Sequence, residues 1–115
     1  MVATQLKPTP ISKDYFDRYG SNRIPKVSGC YALCRSDGLI FYIGQSKNIR
    51  SRIKQHLNNP QKTRKTEYGT ASMVFYLEYP KERLDALENS WIHSYKNAHC
   101  GKLPLFNKIE APIGF

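Results

Sequence analysis

The sequence predicts an α+β fold: a small three-stranded antiparallel sheet flanked by helices, in the order β-β-α-β-α. Three observations predict it. Met73, Phe75, Leu77 and Tyr79 alternate with Ser72, Val74, Tyr76 and Glu78, which is the period of a strand. Two apolar runs, around Gly29-Cys30-Tyr31 and Phe41-Tyr42-Ile43-Gly44, flank Ser36-Asp37-Gly38, a hairpin signal. Ile49, Ile53 and Leu57, and later Leu84, Leu87, Trp91 and Tyr95, recur at helical spacing. Strands and helices in this order pack as an antiparallel sheet with helices on its face.

Residues 1–26, with Pro8, Pro10 and Pro25, read as an N-terminal arm around a short helix from Lys13 to Tyr19, and residues 27–115 as the domain. A two-residue type I′ turn at Asp37-Gly38 would set Ser36 opposite Leu39, Leu33 opposite Tyr42 and Tyr31 opposite Gly44. Tyr31 and Tyr42 then become diagonal neighbours on one face. Cys30, Ala32, Cys34, Phe41 and Ile43 take the other face as core, and two phenols turned away from a core point to chemistry. In the helix Ile49 to Leu57, Arg52 and His56 lie four apart on one face beside the apolar stripe. Pro60 ends that helix and a basic loop runs from Asn58 to Gly69. The third strand covers about Ala71 to Tyr79. Pro80 opens a long helix reaching His99, with Glu88 at the edge of its apolar face. The tail from Gly101 to Phe115 is irregular, and Phe106 and Ile109 are expected to fold it back with Asn107.

At 115 residues the chain is expected to form one domain, too short for a catalytic module plus a separate recognition domain. Eighteen lysines and arginines against nine acidic residues give a net charge of +9, so polyanions are the expected partners. The charge concentrates at Lys47, Arg50, Arg52 and Lys54 and again at Lys62, Arg64 and Lys65, bracketing the first helix. No apolar run approaches a secretory or membrane-spanning length, and three cysteines without paired metal spacing fit a reducing intracellular setting. His93, His99 and Cys100 lack the two compact ligand pairs of a structural zinc site.

The motifs resemble the GIY-YIG endonuclease family. Gly29-Cys30-Tyr31 matches its first block and Tyr42-Ile43-Gly44 with Gln45-Ser46 its second. Lys47-Asn48-Ile49, Arg52, His56, Glu88 within Leu87-Glu88-Asn89-Ser90-Trp91-Ile92, and Asn107 within Pro104-Leu105-Phe106-Asn107 follow in the family's order. The match covers roughly residues 27 to 108. Cys30 departs from the usual aliphatic residue, a harmless change because cysteine packs as a small hydrophobe.

The resemblance implies a metal-dependent endonuclease that hydrolyses DNA phosphodiester bonds by a one-metal mechanism and leaves 5′-phosphate and 3′-hydroxyl ends. It implies Tyr31 as the general base, Tyr42 orienting water or phosphate, Arg52 stabilising the transition state, and Glu88 binding Mg2+ or Mn2+. One carboxylate with several waters suits magnesium. A tyrosine with a pKa of about 10 needs nearby positive charge, or a metal-bound water as proton partner, to act as a base near neutrality, and Lys47, Arg52 and His56 are placed to supply such an environment. His56 is either a hydrogen-bonded support or a proton carrier. Lys47, Arg50, Lys54, Lys62, Arg64, Lys65 and Asn107 are the expected nucleic-acid contacts, with a backbone-capping role the alternative for Asn107. The expected substrate is double-stranded, nicked or branched DNA, met by a monomer or weak homodimer with no membrane and no small-molecule cofactor. An inactive nucleic-acid-binding module on the same scaffold is the alternative; inert descendants usually lose the arginine or the metal carboxylate, and this chain has both.

Overall fold

Strand β2 (Gly29–Cys34) is buried along its whole length, because both its faces and both its edges are covered. It pairs antiparallel with β3 (Ile40–Ser46) on one side and β4 (Met73–Glu78) on the other. β4 carries a further antiparallel strand, β1 (Ser12–Tyr15), so the sheet has four strands in the order β1-β4-β2-β3. The computed structural model that gives this architecture describes residues 1–107. Ile109, expected to anchor the tail, lies outside the described residues, whereas Phe106 is buried as expected. Among the described residues no helix is long and apolar enough to cross a membrane.

The α+β class and the three expected strands are present, and the fourth strand is a correction. Ser12 to Tyr15 extend along the open edge of β4 instead of starting a helix, since that edge satisfies their backbone groups. The arm's helix is α1 (Arg18–Arg23), started by Asp17, whose carboxylate accepts from the Gly20 N–H at 2.7 Å. Helix α2 (Ile49–Leu57) has its expected bounds. Pro60 does more than stop it. Asn59 caps a further turn, α3 (Pro60–Thr63), in which proline occupies the first position, where its missing N–H costs nothing. The last helix, α4 (Leu84–Ala98), is preceded by a 3-10 turn at Lys81–Arg83.

Each face of the sheet has its own core. On one, Cys30, Ala32 and Cys34 are small enough to let Leu84, Leu87 and Trp91 of α4 pack closely, with Ala3 and Leu6 of the arm beside them. On the other, Tyr31 and Leu33 pack with Ile49 and Ile53 of α2 and with Phe16, Ile24 and Val74. Tyr31 therefore does not face away from the core. It is fully buried in the second one.

The hairpin turn also differs from the expected one while the register beyond it does not. Arg35 N–H donates to the Leu39 carbonyl at 2.8 Å and Gly38 N–H to the Arg35 carbonyl at 2.8 Å, so the loop is Ser36-Asp37-Gly38. Only Gly38 among these has positive φ, at 93°, which excludes type I′. The extra loop residue would slip the register by one, but a bulge between Leu33 and Cys34 on the β2 side, with Phe41 the additional residue on β3, slips it back. Leu33 thus faces Tyr42 and Tyr31 faces Gly44, as expected. The bulge moves Phe41 to the α2 side with Tyr42 and leaves Ile40 and Ile43 on the α4 side, correcting the expected alternation.

Candidate active site

The bulge and the hairpin bring Tyr31 and Tyr42 onto one face with ring centroids 6.1 Å apart. Gly44, directly opposite Tyr31, makes this arrangement sterically possible. A Cβ there would lie 2.7 Å from the Tyr31 hydroxyl and 2.7 Å from Cε2 of Tyr42.

The segment after Gly44 aims α2 at these rings. Ser46 and Asn48 close a local turn, with the Asn48 N–H donating to Ser46 Oγ at 3.0 Å, and the Asn48 side chain caps α2 by accepting from the Ser51 N–H at 3.1 Å. Burial of Ile49 and Ile53 then turns His56 inward and leaves Arg52 exposed one turn earlier. His56 is 5 % exposed, and its Nε2 lies 2.7 Å from the Tyr31 hydroxyl. Its ring sits edge-on to Tyr42, centroids 5.2 Å apart.

Burial dominates the electrostatics. It pushes the Tyr31 phenol well above its ordinary value, the neighbouring Tyr42 adds to this, and Arg52 only partly offsets it. Tyr42 is raised for the same first reason, with Arg52 again pulling downward. Burial lowers His56 to about 4, assisted by Lys62 and Arg52. At neutral pH the imidazole is therefore uncharged, and of the three groups expected to supply positive charge it does not do so.

Glu88 reaches this cluster from α4. It is half-buried, its Oε1 accepts from the Gln45 amide at 2.5 Å, and its charge raises both phenols. The same Gln45 nitrogen donates to Asp85 Oδ1 at 2.7 Å. Among the described residues no three histidine, cysteine or acidic side chains group to hold a metal ion. A hard cation at Glu88 would draw its other oxygens from water and substrate, and the all-oxygen character of the donors fits one.

The basic residues divide into several situations. Lys62 of α3 sits over the Tyr42 ring, 4.7 Å from its centroid, so it belongs to the site wall. Arg64 lies 4.9 Å over Phe106. Arg50 and Lys54 tie α2 to the arm: Arg50 Nε donates to the Ile24 carbonyl at 2.6 Å and Lys54 Nζ to Asn22 Oδ1 at 2.5 Å. Lys47 and Lys65 are exposed, and Arg52 Nη1 donates to Gln55 at 3.0 Å. Asn107 is engaged at both ends of its amide, accepting from the Ile43 N–H and donating to the Ile43 carbonyl, each at 2.8 Å. That is the backbone-capping role, and it covers part of the open edge of β3.

Tyr31, Tyr42, Arg52, His56 and Glu88 are thus brought together from four elements, β2, β3, α2 and α4. Gln45, Asp85 and the placement of Lys62 were not foreseen. Asp85 and Glu88 stand three apart on a helix, a spacing visible in the sequence; the glutamine that bridges them is found only by folding β3 against α4.

The family model described as the GIY-YIG catalytic domain matches residues 27–101. UvrABC system protein C of Mycoplasma genitalium is 31% identical over 87 residues, 74% of this chain, and that of Methanococcus maripaludis 32% identical over 75 residues, 63% of this chain. The chain spans only 13% and 14% of the length of these relatives. Among solved structures, two point mutants of the N-terminal endonuclease domain of UvrC from Thermotoga maritima, each bound to its catalytic divalent cation, align with TM-scores of 0.57. Both alignments cover 80% of this chain and 94% of that domain, at 22% and 19% identity, which establishes likeness of fold.

Proposed function

Because the chain belongs to the GIY-YIG family, we propose that it is a nuclease domain hydrolysing DNA phosphodiester bonds with one divalent cation, Mg2+ or Mn2+, to leave 5′-phosphate and 3′-hydroxyl ends. The observation that carries this reading is the buried contact between the Tyr31 hydroxyl and His56 Nε2 at 2.7 Å, beside Arg52 and Glu88.

A phenol held neutral by burial is a poor base alone. With His56 protonated on Nδ1, its Nε2 accepts the Tyr31 proton while the Tyr31 oxygen accepts one from the attacking water. The water becomes hydroxide as it forms the new P–O bond, the bond from phosphorus to the 3′ oxygen breaks and that oxygen takes a proton from solvent. Tyr31 ends neutral, and the proton taken from the water rests on the imidazole until solvent removes it. A phosphodiester docking beside Arg52 and Lys62 offsets the two cations that help hold His56 low, so substrate itself strengthens this base. Tyr42 orients the water or a phosphate oxygen. Arg52, exposed at the mouth of the site, offers a guanidinium to the oxygens that gain charge on the pentacovalent phosphorus. Glu88 would hold the cation, which when bound neutralises the scissile phosphate and stabilises the leaving 3′ oxygen.

The test is plasmid DNA incubated with the protein and Mg2+, beside an EDTA control and Glu88→Gln. Nicking or linearisation that EDTA and Glu88→Gln both abolish is expected, with much of the DNA affinity retained, because phosphate contacts carry most binding. Binding without turnover would make the chain an inert module on this scaffold.

A further inference from the structure

Gln45 follows Gly44 on β3 and lies opposite Cys30, whose side chain belongs to the α4 face. Its amide nitrogen has two hydrogens, and the bonds to Asp85 Oδ1 and Glu88 Oε1 use both. The two carboxylates are adjacent on α4 because they stand three residues apart. We propose that Asp85 and Gln45 are positioning residues for Glu88: Asp85 anchors the Gln45 amide, and the amide holds the Glu88 carboxylate by one oxygen so that the other is set for a divalent cation. The inference rests on the metal role proposed for Glu88.

A glutamate side chain at a half-buried helix edge samples several rotamers, and a cation binding it must select one. A donor fixed to Oε1 makes that selection before the cation arrives, and a donor whose second hydrogen is tied to Asp85 is itself held. Such outer partners of a ligating carboxylate tune metal affinity. Attachment of α4 to the sheet does not need this link, since Leu84, Leu87 and Trp91 are buried in the core beneath it.

The experiment is Mn2+ binding to the whole chain without DNA, followed by paramagnetic line broadening, with cleavage rates and thermal midpoints measured on the same variants. Gln45→Leu keeps bulk and removes both donors; it should weaken Mn2+ by about ten- to a hundredfold. Its single-turnover rate should return to within about threefold of wild type at saturating metal, a split that a merely structural link would not produce. Asp85→Ala should give an intermediate loss, and Asp85→Asn, which retains an acceptor oxygen, should restore binding. Mn2+ affinity of Gln45→Leu within about twofold of wild type, well short of that span, would overturn the proposal, and so would equal losses in Asp85→Asn and Asp85→Ala, which would mean that Asp85 acts through charge. Glu88→Gln separates the two levels: Mn2+ binding unchanged in that variant would refute the metal role of Glu88 itself.

Discussion

The Tyr31 hydroxyl lies 2.7 Å from Nε2 of His56, and burial keeps both groups uncharged at neutral pH. The sequence alone leads to an expectation of nearby positive charge, or of a metal-bound water as proton partner, for this phenol, and the group in contact with it is a neutral imidazole. In the proposed mechanism the basic function belongs to the pair, with the phenol as the conduit and the imidazole as the acceptor.

Tyr31→Phe keeps the ring and removes the conduit. The single-turnover rate at saturating enzyme and Mg2+ should fall by about a hundred- to ten-thousandfold. Because the variant leaves His56 Nε2 buried without its partner, stability should also drop, by about 1–3 kcal/mol in urea denaturation. A rate within about threefold of wild type, far below that range, would reject the assignment of Tyr31, and a larger loss in Tyr42→Phe would exchange the roles of the two tyrosines.

His56 makes stability depend on pH in a defined window. Its value is about 4 in the folded protein against 6.5 as the ordinary value. Between these the unfolded chain binds the extra proton, so the folded state is fully favoured above about 6.5 and loses that advantage as pH falls toward 4. The loss should approach ~3 kcal/mol across the window, read as a falling urea midpoint. His56→Gln should lack this part of the slope.

Arg52→Ala should lower the saturated rate more than the affinity, because the guanidinium contact strengthens as charge develops on the phosphate. Equal losses would identify Arg52 as an ordinary phosphate contact. Lys65→Ala should behave in the opposite way, weakening binding and reducing its salt slope by about one while leaving the saturated rate near wild type.

Gly44→Ala puts a methyl carbon 2.7 Å from the Tyr31 hydroxyl and 2.7 Å from the Tyr42 ring. The Tyr31 ring is fully enclosed and has nowhere to retreat. Cleavage should be lost together with the Tyr31 to His56 contact, seen as a rise in the titration midpoint of the His56 ring proton signals by NMR. Full activity in this variant would show that the phenols do not need their present placement.

Asn107→Ala should cost about 1–3 kcal/mol, since it strips two partners from the Ile43 backbone. DNA affinity measured at matched salt should change little. A loss of affinity without a loss of stability would instead make Asn107 a nucleic-acid contact.

What repeats locally could be read from the order of residues alone. Helix α2 and the α4 stripe of Leu84, Leu87 and Trp91 were legible, because periodicity is written into neighbouring residues. The family's order of motifs was legible for the same reason. The register of Tyr31 against Gly44, by contrast, matches the expected one only because the bulge at Phe41 offsets the longer turn. Tertiary structure decided what depends on partners far along the chain. Ser12 to Tyr15 became a strand only because β4 offered an open edge, Phe41 changed face through a bulge, and Tyr31 became buried because α2 and the arm cover the face expected to be open. The protonation states of Tyr31 and His56 follow from that burial, and the link from Asp85 through Gln45 to Glu88 from the packing of β3 against α4. Desolvation and hydrogen bonding across such distances depend on the surroundings of a residue after folding, which its neighbours in sequence do not specify.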